Sequence, residues 1–153
     1  MKRKKITYNP LSNYNQAINR LSNNGIRPTK QRMILAKLLF ENGDRHISAE
    51  ELHEEVKKED RRISLATIYN TLKQFRNIGL LKELIVDQNK SIYCTNHDSH
   101  YHLYIEDEGK LIDIPQKNVD LNIPQIPACL KLHNIDVIIR VSTLKNKINI
   151  DGW

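Results

Sequence analysis

Cysteine is scarce: the 153-residue chain has two, Cys94 and Cys129, and neither belongs to a C-x-x-C pair. That excludes a disulfide framework and a thiolate zinc knuckle. Long apolar runs are missing too, none approaching the roughly 20 residues a membrane span needs. The opening "MKRKKITYNP" has no apolar stretch behind its positive charges, so neither a membrane segment nor a secretory signal is expected. The expected compartment is the cytoplasm. Five glycines and five prolines leave no room for a Gly/Ser linker, and no internal repeat or low-complexity tract occurs. There is also no nucleophile elbow, H-E-x-x-H or phosphate-binding glycine loop. A small metalloenzyme, the rival reading from another functional class, therefore lacks its usual signatures, and no enzyme is expected.

The composition is that of an ordinary soluble protein, with 39% hydrophobic and 27% charged residues and a mean hydropathy of −0.57. Charge is unevenly placed. Residues 1–90 carry 18 Lys and Arg against 10 Asp and Glu, a net of +8, whereas residues 91–153 carry 6 against 8, a net of −2. The basic part is the one expected to meet a polyanion.

That basic part reads as four helices. In "YNQAINRLSNNG", Ala17, Ile18 and Leu21 recur at helical spacing and Gly25 supplies a stop. In "RPTKQRMILAKLLFENG", Thr29 caps a helix with Ile34, Leu35, Leu38 and Leu39 on its apolar face. "SAEELHEEVKKED" opens on an S-x-x-E capping box, Ser48 and Glu51, ahead of the stripe Ala49, Leu52 and Val56. The fourth, "SLATIYNTLKQFRNIG", turns Leu65, Ile68, Leu72 and Phe75 to one side and Ala66, Thr67, Asn70, Lys73 and Gln74 to the other, with Tyr69 on the flank. An outer face of small, amide and basic side chains without carboxylates suits a DNA major groove, where amides bond adenine edges and methyls pack on thymine.

Strands follow. "LLKELIV" and "KSIYCT", joined by "DQN", read as a β-hairpin, and helices followed by a hairpin is the order of a winged helix-turn-helix. Beyond a boundary expected near Cys94 to Asp98 come "YHLYIE", "KLIDI" and "IDVIIRV". Between the last two lies "PQKNVDLNIPQIPACL", whose three prolines forbid a long helix. Three strands make a poor independent core, so this lobe is expected to complete itself against a second copy. The expected fold class is α+β, a winged helix-turn-helix followed by a small α/β dimerisation lobe.

"GIRPTKQRMIL", "RHISAEELHEEV", "ISLATIYNTLKQFRNIGLL" and "HYHLYIEDEGKLIDI" stand in the order and spacing of the ferric uptake regulator (Fur) family of bacterial transcription regulators, which the chain resembles over roughly residues 14–144. "DRHISAEELHEEV", the short carboxy-terminal lobe and "KLIDIP" look most like the iron response regulator, Irr, of alphaproteobacteria. The resemblance implies a DNA-binding domain over 1–94, with a basic arm at 1–13, and a dimerisation and effector-binding domain over 95–153. It also implies a homodimer on AT-rich palindromic double-stranded operators. Tyr69 would pack on thymine, Asn70 would vary with operator sequence, and Arg27 would enter the minor groove. The expected DNA-contacting residues are Arg27, Thr29, Arg32, Ser64, Thr67, Tyr69, Asn70 and Gln74.

The regulatory metal site implied by the resemblance takes ligands from His46, Cys94, His100, His102 and Asp113. His100 and His102, two apart on a strand, share a face about 7 Å apart and can both reach one ion. Cys94 stands where metal-sensing members have a carboxylate, and its softer sulfur favours zinc or iron over manganese. Ile105 and Glu108 replace the family's structural C-x-x-C, so no four-cysteine zinc site is expected. Ser99 and Tyr101 likewise stand where a third site has His and Asp. Irr proteins often have three consecutive histidines implicated in haem binding, and here that stretch is "HYH". The expected effector is therefore haem or a divalent metal: iron, manganese or zinc. The leading expectation is a regulator of iron homeostasis that responds to haem or iron status; the alternative is a direct metal- or peroxide-sensing repressor that needs a bound divalent metal. His53 is expected to be half-buried, and His97 and His133 solvent-facing.

Overall fold

Among the described residues, three of the four α-helices end on a left-handed residue that turns the chain back. The computed structural model describes residues 10–144, with side chains from residue 13 onward; positions 1–9 of the expected basic arm lie outside the described residues. The chain divides into two units, Met1–His97 and Asp98–Trp153.

In the first unit, helix α1 (Pro10–Asn23) is followed by α2 (Lys30–Phe40), strand β1 (His46–Ile47), α3 (Ala49–Lys58), α4 (Leu65–Asn77), β2 (Lys82–Asp87) and β3 (Lys90–Cys94). α1 starts four residues ahead of the segment expected from Tyr14, with Pro10 in the first helical position, where its missing N–H costs nothing. It ends on Gly25 (φ 71°), with Gly25 N–H on Ser22 O at 3.0 Å and Ile26 N–H on Leu21 O at 2.9 Å. α4 ends identically on Gly79 (φ 70°), and α3 on Asp60 (φ 57°), a non-glycine in the left-handed region. Both arms of the Ser48–Glu51 capping box form: Glu51 N–H donates to Ser48 Oγ at 3.2 Å and Ser48 N–H to Glu51 Oε2 at 2.7 Å. The Ser48 N–H bond holds the Glu51 carboxyl below its ordinary range, against the opposing effect of burial.

The apolar stripes close one core from Leu21, Leu35, Leu39, Leu52, Val56, Ile68, Leu72 and Phe75, all fully buried. β2 and β3 form the expected antiparallel hairpin, with β3 central in the order β1-β3-β2. β1, too short to show a period in sequence, pairs with β3 in the register His46↔Cys94 and Ile47↔Tyr93.

The second unit holds β4 (His100–Ile105), β5 (Lys110–Pro115), a 3₁₀ turn over Gln116–Asn118 and β6 (Ile138–Val141), with sheet order β5-β4-β6. β4 and β5 are antiparallel, β4 and β6 parallel. The expected strand over 135–141 is shorter than its apolar alternation, because its ladder pairing with β4 begins only at Ile138, opposite His102. Segment 119–137 runs without a long helix past Pro124 and Pro127, and Leu121, Ile123, Ile126, Leu130 and Leu132 along it are exposed.

Candidate metal-binding and nucleic-acid interfaces

α4 turns its sides as its sequence requires. Ile68, Leu72 and Phe75 are fully buried, while Ala66, Tyr69, Asn70 and Lys73 are exposed and Thr67 and Gln74 half-buried. Thr71 is buried as well, its hydroxyl donating to Thr67 O at 2.8 Å. Ser64 caps the helix by accepting the Thr67 N–H at 3.2 Å, and the two hydroxyls meet at 2.8 Å. Thr29 caps α2 in the same way, accepting the Arg32 N–H. These two hydroxyls thus have a structural task before any contact with DNA.

Arg32 ties the surface together: its Nε donates to Gln74 Oε1 at 2.9 Å and its Nη1 to the Arg27 carbonyl at 2.9 Å. The amide of Gln74 is therefore oriented, and the loop carrying the exposed Arg27 is anchored to α2. The Tyr69 hydroxyl donates to Glu50 Oε1 on α3. That bond, followed by burial, raises the hydroxyl's pKa above its ordinary value. Sequence reasoning missed Glu50, since no periodic pattern links residues 19 apart on different helices.

In the second unit, β4 and β5 gather the expected ligands. His102 is the register partner of Asp113, and His100 lies two residues away on the same strand face. The imidazoles approach edge-on, with Nε2 of His100 and His102 2.9 Å apart. Asp113 Oδ1 stands 3.3 Å from the first nitrogen and 3.5 Å from the second. His100 Nδ1 lies 2.6 Å from the Asp98 carbonyl. A carbonyl can only accept, so Nδ1 carries the proton, and Nε2 of the neutral ring presents its lone pair toward His102 and Asp113. Both imidazoles are buried. Asp98 was not singled out in sequence because its contribution is a backbone carbonyl, for which side-chain identity gives no signal.

In the first unit, His46 and Cys94 face each other across β1 and β3, with a ring nitrogen and the thiol sulfur within 4.8 Å. The β1 end is fastened by two bonds between the same residues, Thr95 N–H donating to the Arg45 carbonyl at 3.1 Å and Arg45 N–H to the Thr95 side-chain Oγ1 at 2.9 Å. The Arg45 guanidinium in turn meets the Glu55 carboxylate of α3 through both terminal nitrogens, at 3.0 and 2.5 Å. Cys94 is buried, and Cys129, exposed in the proline-containing segment, takes no part. His97 and His133 are exposed and His53 half-buried. Ile105 is buried in β4 and Glu108 exposed in the following turn.

Residues 23–140 match the ferric uptake regulator family. The chain belongs to that family. The peroxide-responsive repressor PerR of Staphylococcus saprophyticus is 36% identical over 104 residues, 68% of this chain and 70% of that protein. The ferric uptake regulator of Vibrio cholerae superposes with a TM-score of 0.66 at 26% identity, covering 82% of this chain and 98% of its own. That of Helicobacter pylori, at 20% identity, shares the fold, with a TM-score of 0.65 over 94% of this chain and 95% of its own. This Fur-family member is accordingly a DNA-binding transcription regulator and not an enzyme. Its helices and hairpin form the family's winged helix-turn-helix, and its β4-β5-β6 sheet belongs to the family's dimerisation lobe.

Proposed function

We propose that this Fur-family regulator senses a divalent metal ion directly, through His100, His102 and Asp113, and that loading governs its binding to AT-rich operator DNA. The observation carrying the reading is the convergence of Nε2 of His100, Nε2 of His102 and Asp113 Oδ1, pairwise 2.9 to 3.5 Å apart. Tetrahedral ligands around zinc at 2.0–2.1 Å stand about 3.3 Å from one another, so an ion would need only small adjustments of these side chains. The Asp98 carbonyl already selects the His100 tautomer that can donate its Nε2 lone pair. Three donors around one point suit a single small ion better than haem, whose iron takes protein ligands on its axial positions.

The family resemblance adds His46 and Cys94 to the same ion, and their facing positions on β1 and β3 are compatible with joint ligation. A thiolate among imidazoles and a carboxylate favours zinc or ferrous iron over manganese. Several relatives bear on this reading: the PerR repressors are peroxide-responsive, and solved regulators include a Pseudomonas aeruginosa Fur with manganese and a zinc-bound manganese uptake regulator. In the same reading the protein acts as a homodimer in the cytoplasm. α4 enters the major groove, with Thr67, Tyr69, Asn70 and Gln74 toward the bases, while Arg27 reaches the minor groove and Thr29, Arg32 and Ser64 adjoin the phosphates.

The test is duplex binding by metal-free protein titrated separately with zinc, ferrous iron, manganese and haem. Affinity for an AT-rich palindromic duplex should rise at least about tenfold with a divalent ion, a coupling of roughly 1.4 kcal/mol. His100→Ala/His102→Ala should abolish the response, and His46→Ala separately tests the His46 and Cys94 assignment. A double variant that still responds like the parent, or a parent responding to haem alone, overturns the reading.

A further inference from the structure

One contact of the DNA-facing surface has no role in the scheme above. Tyr69 is 41% exposed on α4, yet its hydroxyl is engaged by Glu50. Glu50 is the second residue of α3 and is itself exposed, so burial does not force the pairing. The helix terminus welcomes the carboxylate. A polyanion would not, because an acid beside the base-reading face weakens binding to every duplex through repulsion of its phosphates. Glu50 thus combines a general electrostatic penalty with one directional bond to an exposed aromatic side chain.

We propose that Glu50 is a positioning residue for DNA reading: by accepting the Tyr69 hydroxyl it fixes the ring against α4, so that the ring face rather than the hydroxyl meets a thymine methyl. Its charge simultaneously penalises duplexes that do not offset it through that contact. The phenol has two rotatable torsions, and the bond to a neighbouring helix removes the freedom that would otherwise be lost on docking. Glu50 would then raise discrimination between sequences while lowering affinity for all of them. This inference rests on the reading role proposed for Tyr69.

The experiment uses the full-length protein with one divalent metal at fixed ionic strength. One duplex is selected from a random-sequence library by the parent protein, and a second is a scrambled duplex of the same composition. The readout is the ratio of the two affinities. Glu50→Ala and Tyr69→Phe should each lower that ratio about fivefold, as expected when a side chain regains the freedom it must lose on docking. The Glu50→Ala/Tyr69→Phe double variant should lower it no further, since both changes remove the same bond. Glu50→Gln, which keeps an acceptor and drops the charge, should retain most of the ratio while tightening both duplexes by about threefold. A Tyr69→Phe protein with the parent's ratio, alongside a Tyr69→Ala protein that has lost it, overturns the proposal and leaves the ring reading alone. So do additive losses in the double variant. If Tyr69→Ala itself keeps the parent's ratio, the reading role of Tyr69 fails and the inference falls with it. Thermal melting of each variant separates these outcomes from misfolding.

Discussion

The winged-helix unit encloses its apolar residues between four helices and a hairpin, whereas the β4-β5-β6 unit leaves many of its own in solvent. Nine large side chains of the first unit are fully buried in a single cluster. In the second, Tyr101, Tyr104, Ile105, Leu111 and Ile114 are buried, but Leu121, Ile123, Ile126, Leu130, Leu132 and Leu144 are between 38% and 76% exposed. A lone three-stranded sheet has two faces and, among the described residues, no helix layer to cover either. The contrast teaches that the first unit carries its own stability, while that of the second is conditional on whatever covers its sheet and occupies its ligand cluster.

The sharpest way to break that comparison is to hollow each unit in turn. Phe75→Ala should cost about 3–5 kcal/mol by chemical denaturation, because the ring is fully buried beside that of Phe40 and its loss leaves a cavity. That loss should not depend on protein concentration. Leu111→Ala, on the sheet of the second unit, should cost about 2 kcal/mol, at the low end for such a truncation, with a midpoint that rises with protein concentration as a dimer requires. Equal, concentration-independent losses would show that the second unit is self-sufficient.

Metal should add stability through His100 and His102, whatever His46 and Cys94 contribute. Zinc at about a hundredfold excess over its dissociation constant stabilises a protein by roughly 2.7 kcal/mol. The gain should be read as a higher Tm for the parent and should vanish in His100→Ala/His102→Ala. A zinc-induced shift that survives the double variant would mean that the ion binds elsewhere.

How much of this was legible in sequence follows from range. Thr29 and Ser48 as caps, Gly25 as a stop and the buried faces of α2 to α4 are local signals, set by residues three or four apart. His100 and His102 share a strand face for the same reason. What was not legible is non-local or too short to have a period: the two residues of β1, the Glu50 bond to Tyr69, the Arg45 clamp on Glu55, and the Asp98 carbonyl behind His100. The assignment of Asp113 as a candidate ligand came from the family resemblance, since a single acid on a strand has no signal of its own. The apolar content of segment 119–137 was plain in sequence, but whether those side chains were buried depended on a path that prolines constrain without specifying.

A smaller effect lies in the α3 capping box. Ser48→Ala should cost about 1 kcal/mol. Because the Glu51 pKa is lowered in the folded state, by the Ser48 N–H first, its contribution is fully present above the ordinary carboxylate value of 4.5 and is lost as pH falls through the lower folded value. Glu51→Gln should therefore be less stable than the parent near neutrality and should approach it on acidification. A constant gap between the two unfolding curves from pH 7 to pH 3 would assign the loss to packing instead.

The smallest expected effects compare three equivalent helix ends inside the self-sufficient unit. Gly25, Asp60 and Gly79 occupy the same left-handed position after α1, α3 and α4, and only Asp60 carries a Cβ there. A Cβ at Gly25 would meet nothing within 4 Å, so Gly25→Ala isolates the backbone cost of that conformation, about 1 kcal/mol. At Gly79 the new Cβ would lie 3.1 Å from Arg20 Nη2, which confounds strain with a contact. Asp60→Gly runs the other way: it relieves the left-handed strain but adds glycine's greater unfolded-state entropy, leaving a net gain of about 0.5 kcal/mol. The two substitutions should shift the denaturation midpoint in opposite directions, with no dependence on zinc or on protein concentration. A zinc-dependent Gly25→Ala effect would show instead that stability of the first unit is tied to the metal cluster.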